Sequence, residues 1–424
     1  MTLWLTDDDR AMLGGERGEA AALAMRIVVD MARVWEAERL IDIASAHIDG
    51  CLYHGPTGVE FAERLIEGGA RVVVPATLNV SSLDLLHPHL VRLDPGTAAS
   101  ARRLMDAYVA MGCRPTWTCA PYQLPERPGF GEHVAWAESN AIVFANSVLG
   151  ARTNRYGDFI DICAAITGRV PEAGLHLAAR RGARIVFRLE GIADHLLRDE
   201  VTPTCVGHII GRQTGSQVAA IVGLPSDTSE DRLKALGAAA ASSGAVAMFH
   251  AVGVTPEAPT LEAALGGRPA EREIVVTPGD LRAARDELTT SPDGPIGAVS
   301  VGTPHLSRSE LERLAAMVEE AQPAVPFYAN TGRDVALGAG AIVERLADAR
   351  VTVVTDTCTY VTPILHDIHG PVMTNSAKWA WYAPGNLGFE VVFGSLEECV
   401  RSAALGRVWR DPGLWGDEGD EGDA

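Results

Sequence analysis

The chain has 424 residues, which is enough for two or three domains with substantial cores. Apolar residues make up 47% of the chain and charged residues 21%, a globular composition that excludes a fibrous or largely disordered protein. The formal net charge is −19, from 55 acidic and 36 basic residues. This acidic balance argues against nucleic acid or an anionic membrane as a partner.

The start of the chain and its cysteines indicate where the protein works. Residues 1–9 lack the basic and apolar segments of a signal peptide, and apolar stretches elsewhere fall well short of the ~20 residues of a membrane-spanning helix. Seven cysteines are scattered without disulfide-framework spacing: Cys51, Cys113, Cys119, Cys163, Cys205, Cys358 and Cys399. We therefore expect a cytoplasmic protein whose cysteines serve packing, metal binding or catalysis.

The N-terminal third is predicted to be rich in helix. Residues 19–38 form an amphipathic run of good helix formers. Thr57 and Glu60 have capping-box spacing and predict a helix through residue 65. Residues 71–74 are predicted to form a short buried strand.

Beyond residue 180 the pattern changes to strand, loop and helix. These segments are apolar without alternation, which is typical of strands covered on both faces of an α/β sheet. The predicted strands are 184–189, 245–252, 296–301, 325–329, 351–355 and 389–393. Ser307 and Glu310 form a second capping box that opens a helix to residue 320, and another helix is predicted over 338–349.

The domain organisation follows from a Pro- and Gly-punctuated stretch at 255–290. We predict a helix-rich and α/β catalytic region over 1–255 and an α/β region that completes the site over 256–410. An acidic disordered tail is predicted over 411–424.

Three predicted strands run into polar or ligating side chains. The strands at 296–301, 325–329 and 351–355 lead respectively into residues 302–305, 330–333 and 356–358. Because ligand-binding loops of α/β sheets lie beyond the carboxyl ends of strands, these side chains are expected at one edge.

The segment 112–155 is the densest polar stretch and surrounds an apolar helical run at 141–149. Cys119 lies there in a constrained Thr-Cys-Ala-Pro-Tyr loop, which suits a ligand site, although a lone cysteine is more often a small buried hydrophobe. Arg152 and Arg155 are spaced to clamp a carboxylate, while each alone could equally cap a helix or form a structural ion pair.

Other candidates also keep more than one interpretation. His47, predicted in a polar turn, could be a general base, a neighbour of a metal or a turn cap. Lys378 could hold a carboxylate or extend from a helix start into solvent. His366 and His369 have helical spacing but no third ligand nearby and are predicted to be surface residues. Signatures of P-loops, dinucleotide-binding loops, nucleophile elbows and zinc sites are absent from the sequence.

Six polar motifs, taken in order, resemble the catalytic region of the aconitase X family over roughly residues 5–405. The motifs are Ser45-Ala46-His47-Ile48-Asp49-Gly50, Pro75-Ala76-Thr77-Leu78-Asn79, Thr118-Cys119-Ala120-Pro121-Tyr122, Trp136-Ala137-Glu138-Ser139-Asn140, Gly150-Ala151-Arg152-Thr153-Asn154-Arg155 and Asn375-Ser376-Ala377-Lys378.

The resemblance implies the α/β catalytic core of the aconitase superfamily without its swivelling domain, which is expected as a separate small subunit. It also implies an iron-dependent hydro-lyase that acts on a small hydroxy acid. In related enzymes a serine of the swivelling part acts as the base. Known activities of similar proteins are dehydration of cis-3-hydroxy-L-proline in bacteria and of phosphomevalonate in archaea. Because the Ala- and Arg-rich composition is typical of a high-GC bacterium, the resemblance favours cis-3-hydroxy-L-proline as substrate, with Δ1-pyrroline-2-carboxylate as product. The alternatives are a phosphomevalonate dehydratase, an isomerase, and a non-catalytic iron-binding or regulatory subunit.

The resemblance assigns roles to particular residues. The implied catalytic residues are His47, Tyr122 and Lys378. The implied substrate-binding residues are Ser45, Thr77, Asn79, Glu138, Ser139, Asn140, Arg152, Asn154, Arg155, Asn375 and Ser376. The implied metal-site positions are Cys119, Cys358, Thr303 and His305. Because Thr303 stands where some relatives have a third cysteine, the cofactor is either an iron-sulfur cluster or a mononuclear iron.

Overall fold

The computed structural model describes residues 3–416, which form helices around parallel β-sheets. The first region extends to about residue 180. Its helices are α1 (Asp7–Gly14), α2 (Glu19–Val34), α3 (Pro56–Glu67), α4 (Pro95–Ala110), α5 (Ser139–Phe144) and α6 (Ile160–Thr167). Its strands are β1 (Leu40–Asp42), β2 (Ala46–Ile48), β3 (Ala76–Leu78), β4 (Ala135–Trp136) and β5 (Arg169–Pro171).

The small parallel sheet of this region has the order β3-β2-β4. His47 in β2 lies beside Thr77 of β3 and Trp136 of β4. Because all three strands run in the same direction, the residues that follow them, including Asn79 and Glu138, emerge at one edge. β1 and β5 form a separate antiparallel pair.

The second region is a four-stranded parallel sheet with helices packed against it. Its elements are β6 (Ile185–Leu189), α7 (Asp194–Arg198), α8 (Val201–Thr214), β7 (Ala219–Val222), α9 (Glu230–Ser243), β8 (Phe249–Ala251), α10 (Leu261–Leu265), β9 (Arg272–Val276) and α11 (Pro278–Glu287). The strand order is β8-β7-β6-β9.

The third region is a five-stranded parallel sheet in the order β12-β11-β10-β13-β14. Its elements are β10 (Ala298–Leu306), α12 (Arg308–Glu320), β11 (Phe327–Thr331), α13 (Arg333–Gly338), α14 (Gly340–Asp348), β12 (Val351–Val354), β13 (Val372–Thr374), α15 (Ala377–Leu387), β14 (Val391–Phe393), α16 (Leu396–Leu405) and α17 (Pro412–Trp415). β10 is central and fully buried, as an apolar run without alternation predicts.

Helix α9 joins the regions, because it packs against α8, α5 and α15. Its contact with α8 is very close: a Cβ added at Gly207 would lie 2.2 Å from the carbonyl oxygen of Leu236. The two helices therefore approach each other at a glycine of α8, where a side chain would force them apart.

The predicted α/β class is confirmed, and the capping box of Ser307 and Glu310 is present at α12. The predicted cap at Thr57 is wrong, because Gly55 precedes α3 and Pro56 is its first residue. The predicted strand at 71–74 is also wrong. Val72 and Val73 donate instead to the carbonyls of Met111 and Ala165, near the ends of helices α4 and α6.

Two predicted boundaries differ from the structure. The boundary at residue 255 falls inside the second sheet, because β9 pairs with β6 across it. The predicted tail from residue 411 begins with a helix whose Trp415 is buried and donates to Glu398. The rest of that prediction, 417–424, lies outside the described residues. Among the helices that are described, none has both the length and the apolar character needed to cross a membrane.

Candidate metal centre and active site

Cys119, His305 and Cys358 come together in the interior. All three are buried, and their ligand atoms lie within 4.8 Å of one another. Cys119 belongs to the first region, whereas His305 lies near the end of β10 and Cys358 follows β12. The prediction that successive strands bring polar or ligating side chains to one edge of a sheet is therefore confirmed in position for His305 of β10 and Cys358 after β12.

The two thiols shift each other's pKa in opposite directions. Burial raises the pKa of Cys119, but a hydrogen bond from Cys358 and the charge of Lys378 lower it, and the net result is a pKa below the usual value. The same hydrogen bond, together with burial, raises the pKa of Cys358 well above its usual value. Of the two thiols, Cys119 is therefore the one that loses its proton more readily, and the deprotonated form is the one that binds metals.

His305 supports Cys119 through its backbone. Its N–H donates to the Cys119 sulfur at 3.3 Å. Its ring Nε2 lies 3.1 Å from the Thr357 carbonyl, which can only accept, so the proton is on Nε2. Burial lowers the pKa of this imidazole to about 4, so the ring is neutral. The remaining lone pair on Nδ1 accepts from the Thr118 hydroxyl at 3.0 Å, so metal binding through the ring would break that hydrogen bond.

Thr303 is buried in β10, two residues before His305. Its hydroxyl oxygen is buried and has no hydrogen-bond partner within residues 3–416, while its carbonyl accepts from the Ser376 hydroxyl. It lines a cavity of about 40 Å³ with Asn375, Ser376 and Lys378. The soft donors that the structure brings together are the sulfurs of Cys119 and Cys358, which fit a single iron or a small cluster. A third thiolate is not offered at Thr303, because its oxygen is a hard ligand.

Glu138 and Lys378 form a buried ion pair beside the sulfurs. Glu138 also caps α5 by accepting from the Ala141 N–H at 2.8 Å. Burial raises the pKa of Glu138, but Lys378 more than offsets this and lowers it below its usual range. Burial lowers the pKa of Lys378, yet Glu138 and other nearby anionic groups raise it well above its usual value. Both groups are therefore charged.

A chain of hydrogen bonds connects this pair to the Cys119 loop. Asn140 donates to Glu138 and to the Cys119 carbonyl, the latter at 3.0 Å. Tyr122 donates its hydroxyl to Asn140 at 2.6 Å, and Ser139 donates to Glu138 at 3.3 Å. The structure thus brings together Tyr122, Glu138, Ser139, Asn140 and Lys378.

His47 lies inside β2 and is fully buried, so its predicted position in a polar turn is wrong. Its Nδ1 is 2.8 Å from the Thr77 hydroxyl, and Nε2 has no partner among the described side chains. Burial lowers its pKa to about 4, so the ring is neutral. Asn79 donates its amide to Asp49 nearby.

The structure places another group of predicted residues elsewhere. Arg152 bridges to His133 before β4 and donates to a backbone carbonyl, that of His176, at 3.1 Å. Asn154 donates to the Ala173 carbonyl at 3.0 Å, and Arg155 to the Val246 carbonyl at 3.2 Å. Arg152 therefore lies at the amino-terminal end of β4, where His133 precedes the strand, whereas Glu138 follows the carboxyl end of the same strand.

Ser45 precedes β2, and its carbonyl accepts from the Ala135 N–H at 2.9 Å. His366 and His369 are not in a helix; His366 contacts the Leu90 carbonyl and His369 is exposed. The interpretation of this pair as surface residues therefore holds for His369, whereas His366 is half-buried.

Sequence reasoning missed several residues of the site. Asp49 follows β2 within the His47 motif, and that position was the available signal. Asp356 has a φ of 62°, is fully buried and accepts two hydrogen bonds from Arg333. Lys234 of α9 donates to the His305 carbonyl at 3.3 Å, but nothing in its helical sequence distinguishes it.

Sequence models of one family match nearly the whole chain. The aconitase X first domain matches residues 2–179, the second domain 183–286 and the third domain 296–405. These divisions coincide with the three sheet regions described above.

Individual relatives agree with the family match. The cis-3-hydroxy-L-proline dehydratase of Pseudomonas aeruginosa is 45% identical over 406 residues, which are 94% of this chain and 70% of that protein. The enzyme of the same name from Hypocrea jecorina is 41% identical, over 96% of this chain and 69% of that protein. The phosphomevalonate dehydratase large subunit of Methanothermobacter thermautotrophicus is 37% identical, over 94% of this chain and 98% of that protein.

The fold also matches a solved structure. The crystal structure of Thermococcus kodakaraensis aconitase X in its holo-form superposes with a TM-score of 0.85 at 31% identity, and the match covers 95% of this chain and 100% of that one. The resemblance stated from the six motifs is therefore confirmed, and the chain belongs to the aconitase X family of hydro-lyases.

Proposed function

We propose that this protein dehydrates cis-3-hydroxy-L-proline to Δ1-pyrroline-2-carboxylate with an iron centre at Cys119 and Cys358. The single observation that carries the proposal is the convergence of these buried sulfurs with the charged Glu138–Lys378 pair. The first group suits a metal and the second a carboxylate substrate.

The substrate is proposed from the order of identities. Two relatives named cis-3-hydroxy-L-proline dehydratase share 45% and 41% identity with the chain. Five named phosphomevalonate dehydratase large subunit share 32–37%. The higher identity to the first group favours the amino acid over the phosphorylated acid.

Cys119 and Cys358 would hold the iron. When bound, the iron supplies a Lewis acid that polarises the leaving hydroxyl group. The backbone N–H of His305 donates to the Cys119 sulfur, and the His305 ring is held by the Thr357 carbonyl. His305 is therefore proposed to position Cys119 instead of binding the metal itself.

Dehydration removes the proton alpha to the substrate carboxylate and releases the 3-hydroxyl as water. Lys378 offers a permanent positive charge that can bind this carboxylate and stabilise the charge that develops on it. Glu138 and Asn140 orient the ammonium group. The enamine formed by loss of water then tautomerises to the imine product.

His47 is proposed to hold or accept a proton at Nε2. A hydrogen bond from Nδ1–H to Thr77 would leave Nε2 with a free lone pair. Burial lowers its pKa to about 4, so the ring is neutral at neutral pH and is a weak base that would hold a proton only transiently.

A small partner subunit is proposed to complete the site. Relatives of this length are named large subunits, and the match spans 98–100% of them. A reducing, cytoplasmic location is proposed from the seven cysteines, each buried and free.

The test is an anaerobic assay of the iron-loaded chain co-produced with its small partner. We expect a kcat/KM for cis-3-hydroxy-L-proline at least tenfold above that for phosphomevalonate, with trans-4-hydroxy-L-proline as an inert control. Lys378→Met should lower kcat by roughly 10²–10³-fold, as loss of one charge-stabilising donor does. Preference for phosphomevalonate, or an unchanged kcat in the Lys378 variant, would overturn the assignment.

A further inference from the structure

A second cavity lies away from the metal centre. It has a volume of about 850 Å³ and lies between the end of the first region and the second sheet. Its sheet side is formed by Arg184, Val218 and Met248, which precede strands β6, β7 and β8. The cavity therefore opens at the amino-terminal edge of this sheet.

Four arginines line this cavity, which we call the arginine cleft: Arg155, Arg180, Arg184 and Arg268. Within the described part of the chain, no aspartate or glutamate lines it. The lining of the cleft therefore carries only positive charges, although the chain has 19 more acidic than basic residues. A local field of this sign concentrates anions.

The guanidinium groups of the cleft are only partly satisfied. Arg184 pairs with Glu271 at 3.0 Å. Arg155 and Arg268 donate to backbone carbonyls, those of Val246 at 3.2 Å and Ala179 at 2.8 Å. Arg180 is exposed and forms no ion pair among residues 3–416. Since each guanidinium has five N–H donors, most of these donors remain free for a ligand.

The floor of the cleft is apolar and ordered. Leu175, Val218 and Met248 contribute aliphatic surface. Trp35 lines one side and stacks on Tyr156 with ring centroids 5.9 Å apart, which fixes its orientation. A volume of this size and a mixture of apolar floor and convergent charges are typical of small-molecule sites.

We propose that the arginine cleft binds an organic polyanion of up to nucleotide size. Its phosphate or carboxylate oxygens would be bound bidentately by the guanidiniums, and its apolar portion would lie over the floor against Trp35. The cleft is separate from Cys119, Cys358 and the Glu138–Lys378 pair, none of which lines it. Asn154 and Arg155, to which the resemblance assigns substrate binding, lie in this cleft instead.

The test is calorimetric titration of the full chain with pyrophosphate, citrate and ATP at constant ionic strength. We expect saturable 1:1 binding of at least one of the three. The three probes separate phosphate from carboxylate recognition and show whether a planar group adds affinity. The double variant Arg180→Gln/Arg268→Gln should weaken binding at least tenfold, because it removes two exposed cations of the cleft.

Arg102→Gln is the matched control, since Arg102 is exposed on α4 and does not line the cleft. Its affinity should equal that of the unchanged chain, and melting curves should show that all variants fold. No saturable binding, or equal weakening by Arg102→Gln, would overturn the proposal. A change of oligomeric state in the double variant without anion binding would also overturn it, in favour of a protein interface.

Discussion

In the candidate metal centre, one or two neighbouring side chains shift the pKa of each buried group. The pKa of Cys119 is lowered because Cys358 donates to it and Lys378 lies near it. Cys163, by contrast, is buried in α6 among apolar residues, and burial raises its pKa beyond the physiological range. Burial alone therefore does not make a cysteine a ligand; an adjacent donor or positive charge is also needed.

This contrast yields a prediction for metal content. Cys119→Ala should reduce bound iron to background and lower kcat by roughly 100-fold or more, because a Lewis acid contributes several kcal/mol to such a reaction. Iron analysis and electron paramagnetic resonance of the anaerobic protein would measure the first effect. Cys163→Ala should keep both iron and turnover while lowering the melting temperature. Full iron occupancy in the Cys119 variant would contradict the assignment.

The sequence indicated which residues of the six motifs are candidates for the site, but it did not indicate which of them lie together. Tyr122, Glu138, Asn140 and Lys378 do lie together, as the resemblance implies. Arg152 and Arg155 have the spacing of a carboxylate clamp, yet they contact backbone carbonyls at another strand end. Sequence spacing does not reveal which end of a short strand a side chain reaches.

Among the secondary-structure elements, close helix packing constrains the centre of the molecule most. Helix α9 contacts elements of all three regions, and its approach to α8 depends on Gly207. Besides the clash with the Leu236 carbonyl, an added Cβ would lie 3.0 Å from that of Ala239. The glycine therefore sets the distance between two helices and, through α9, the position of Lys234.

Gly207→Ala should destabilise the protein by about 1–3 kcal/mol, the usual cost of inserting atoms into a packed interior. Gly385→Ala is a matched control, because Gly385 is exposed in α15 and an added Cβ would meet no atom within 4 Å. That change should instead stabilise by about 0.5–1 kcal/mol through its helix propensity. Urea unfolding measures both. Equal stability of the two variants would mean that the α8–α9 distance can relax freely.

Elements with their own local signals were predictable. Helix α12 has its capping box, and the apolar segments that begin strands β10 and β11 stand out in the sequence. Strands β2 and β3 have three residues each and carry no periodicity. They exist because neighbouring strands pair with them, so their signal lies in tertiary contacts.

At the scale of the whole molecule, stability depends on buried acids near the active site. Burial raises the pKa of Asp49 to about 8, helped by the negative charges of Glu138 and Asp158. Its ordinary value is 3.8. Between these values the unfolded chain has lost the proton that the folded chain keeps, so rising pH favours unfolding over about pH 4–8.

We therefore expect Asp49→Asn to remove part of the loss of folding stability that accompanies rising pH. Relative to the unchanged chain, the variant should gain stability as pH rises from 4 to 8, because its amide does not titrate. Asp161, whose pKa burial raises to about 7, would still contribute in the same direction. Melting temperatures across this range measure the effect, and Asp348→Asn, an exposed carboxylate of α14, should leave the slope unchanged. A slope equal to that of the unchanged chain would contradict the raised pKa of Asp49.

The α/β architecture could be predicted from the sequence, whereas the boundaries between its three regions could not. Apolar strands and intervening helices predict parallel sheets, and the structure contains them. The boundary near 255 was less predictable, because its prolines and glycines form loops within the second region instead of a linker between regions. Turn residues mark the ends of elements, and only the pairing of β9 with β6 shows to which sheet the chain returns.

The two cysteines of the candidate metal centre come from different domains. Cys119 lies in the first domain, whereas Cys358 lies in the third. The same junction is held by the Ser81 N–H on the Asp356 carbonyl and by the Thr355 N–H and hydroxyl on Asp84. An ion bound by both sulfurs would be linked reciprocally to domain docking: whatever free energy the metal adds to the junction, the junction adds to metal affinity. Metal retention would then report on the integrity of the interdomain contact.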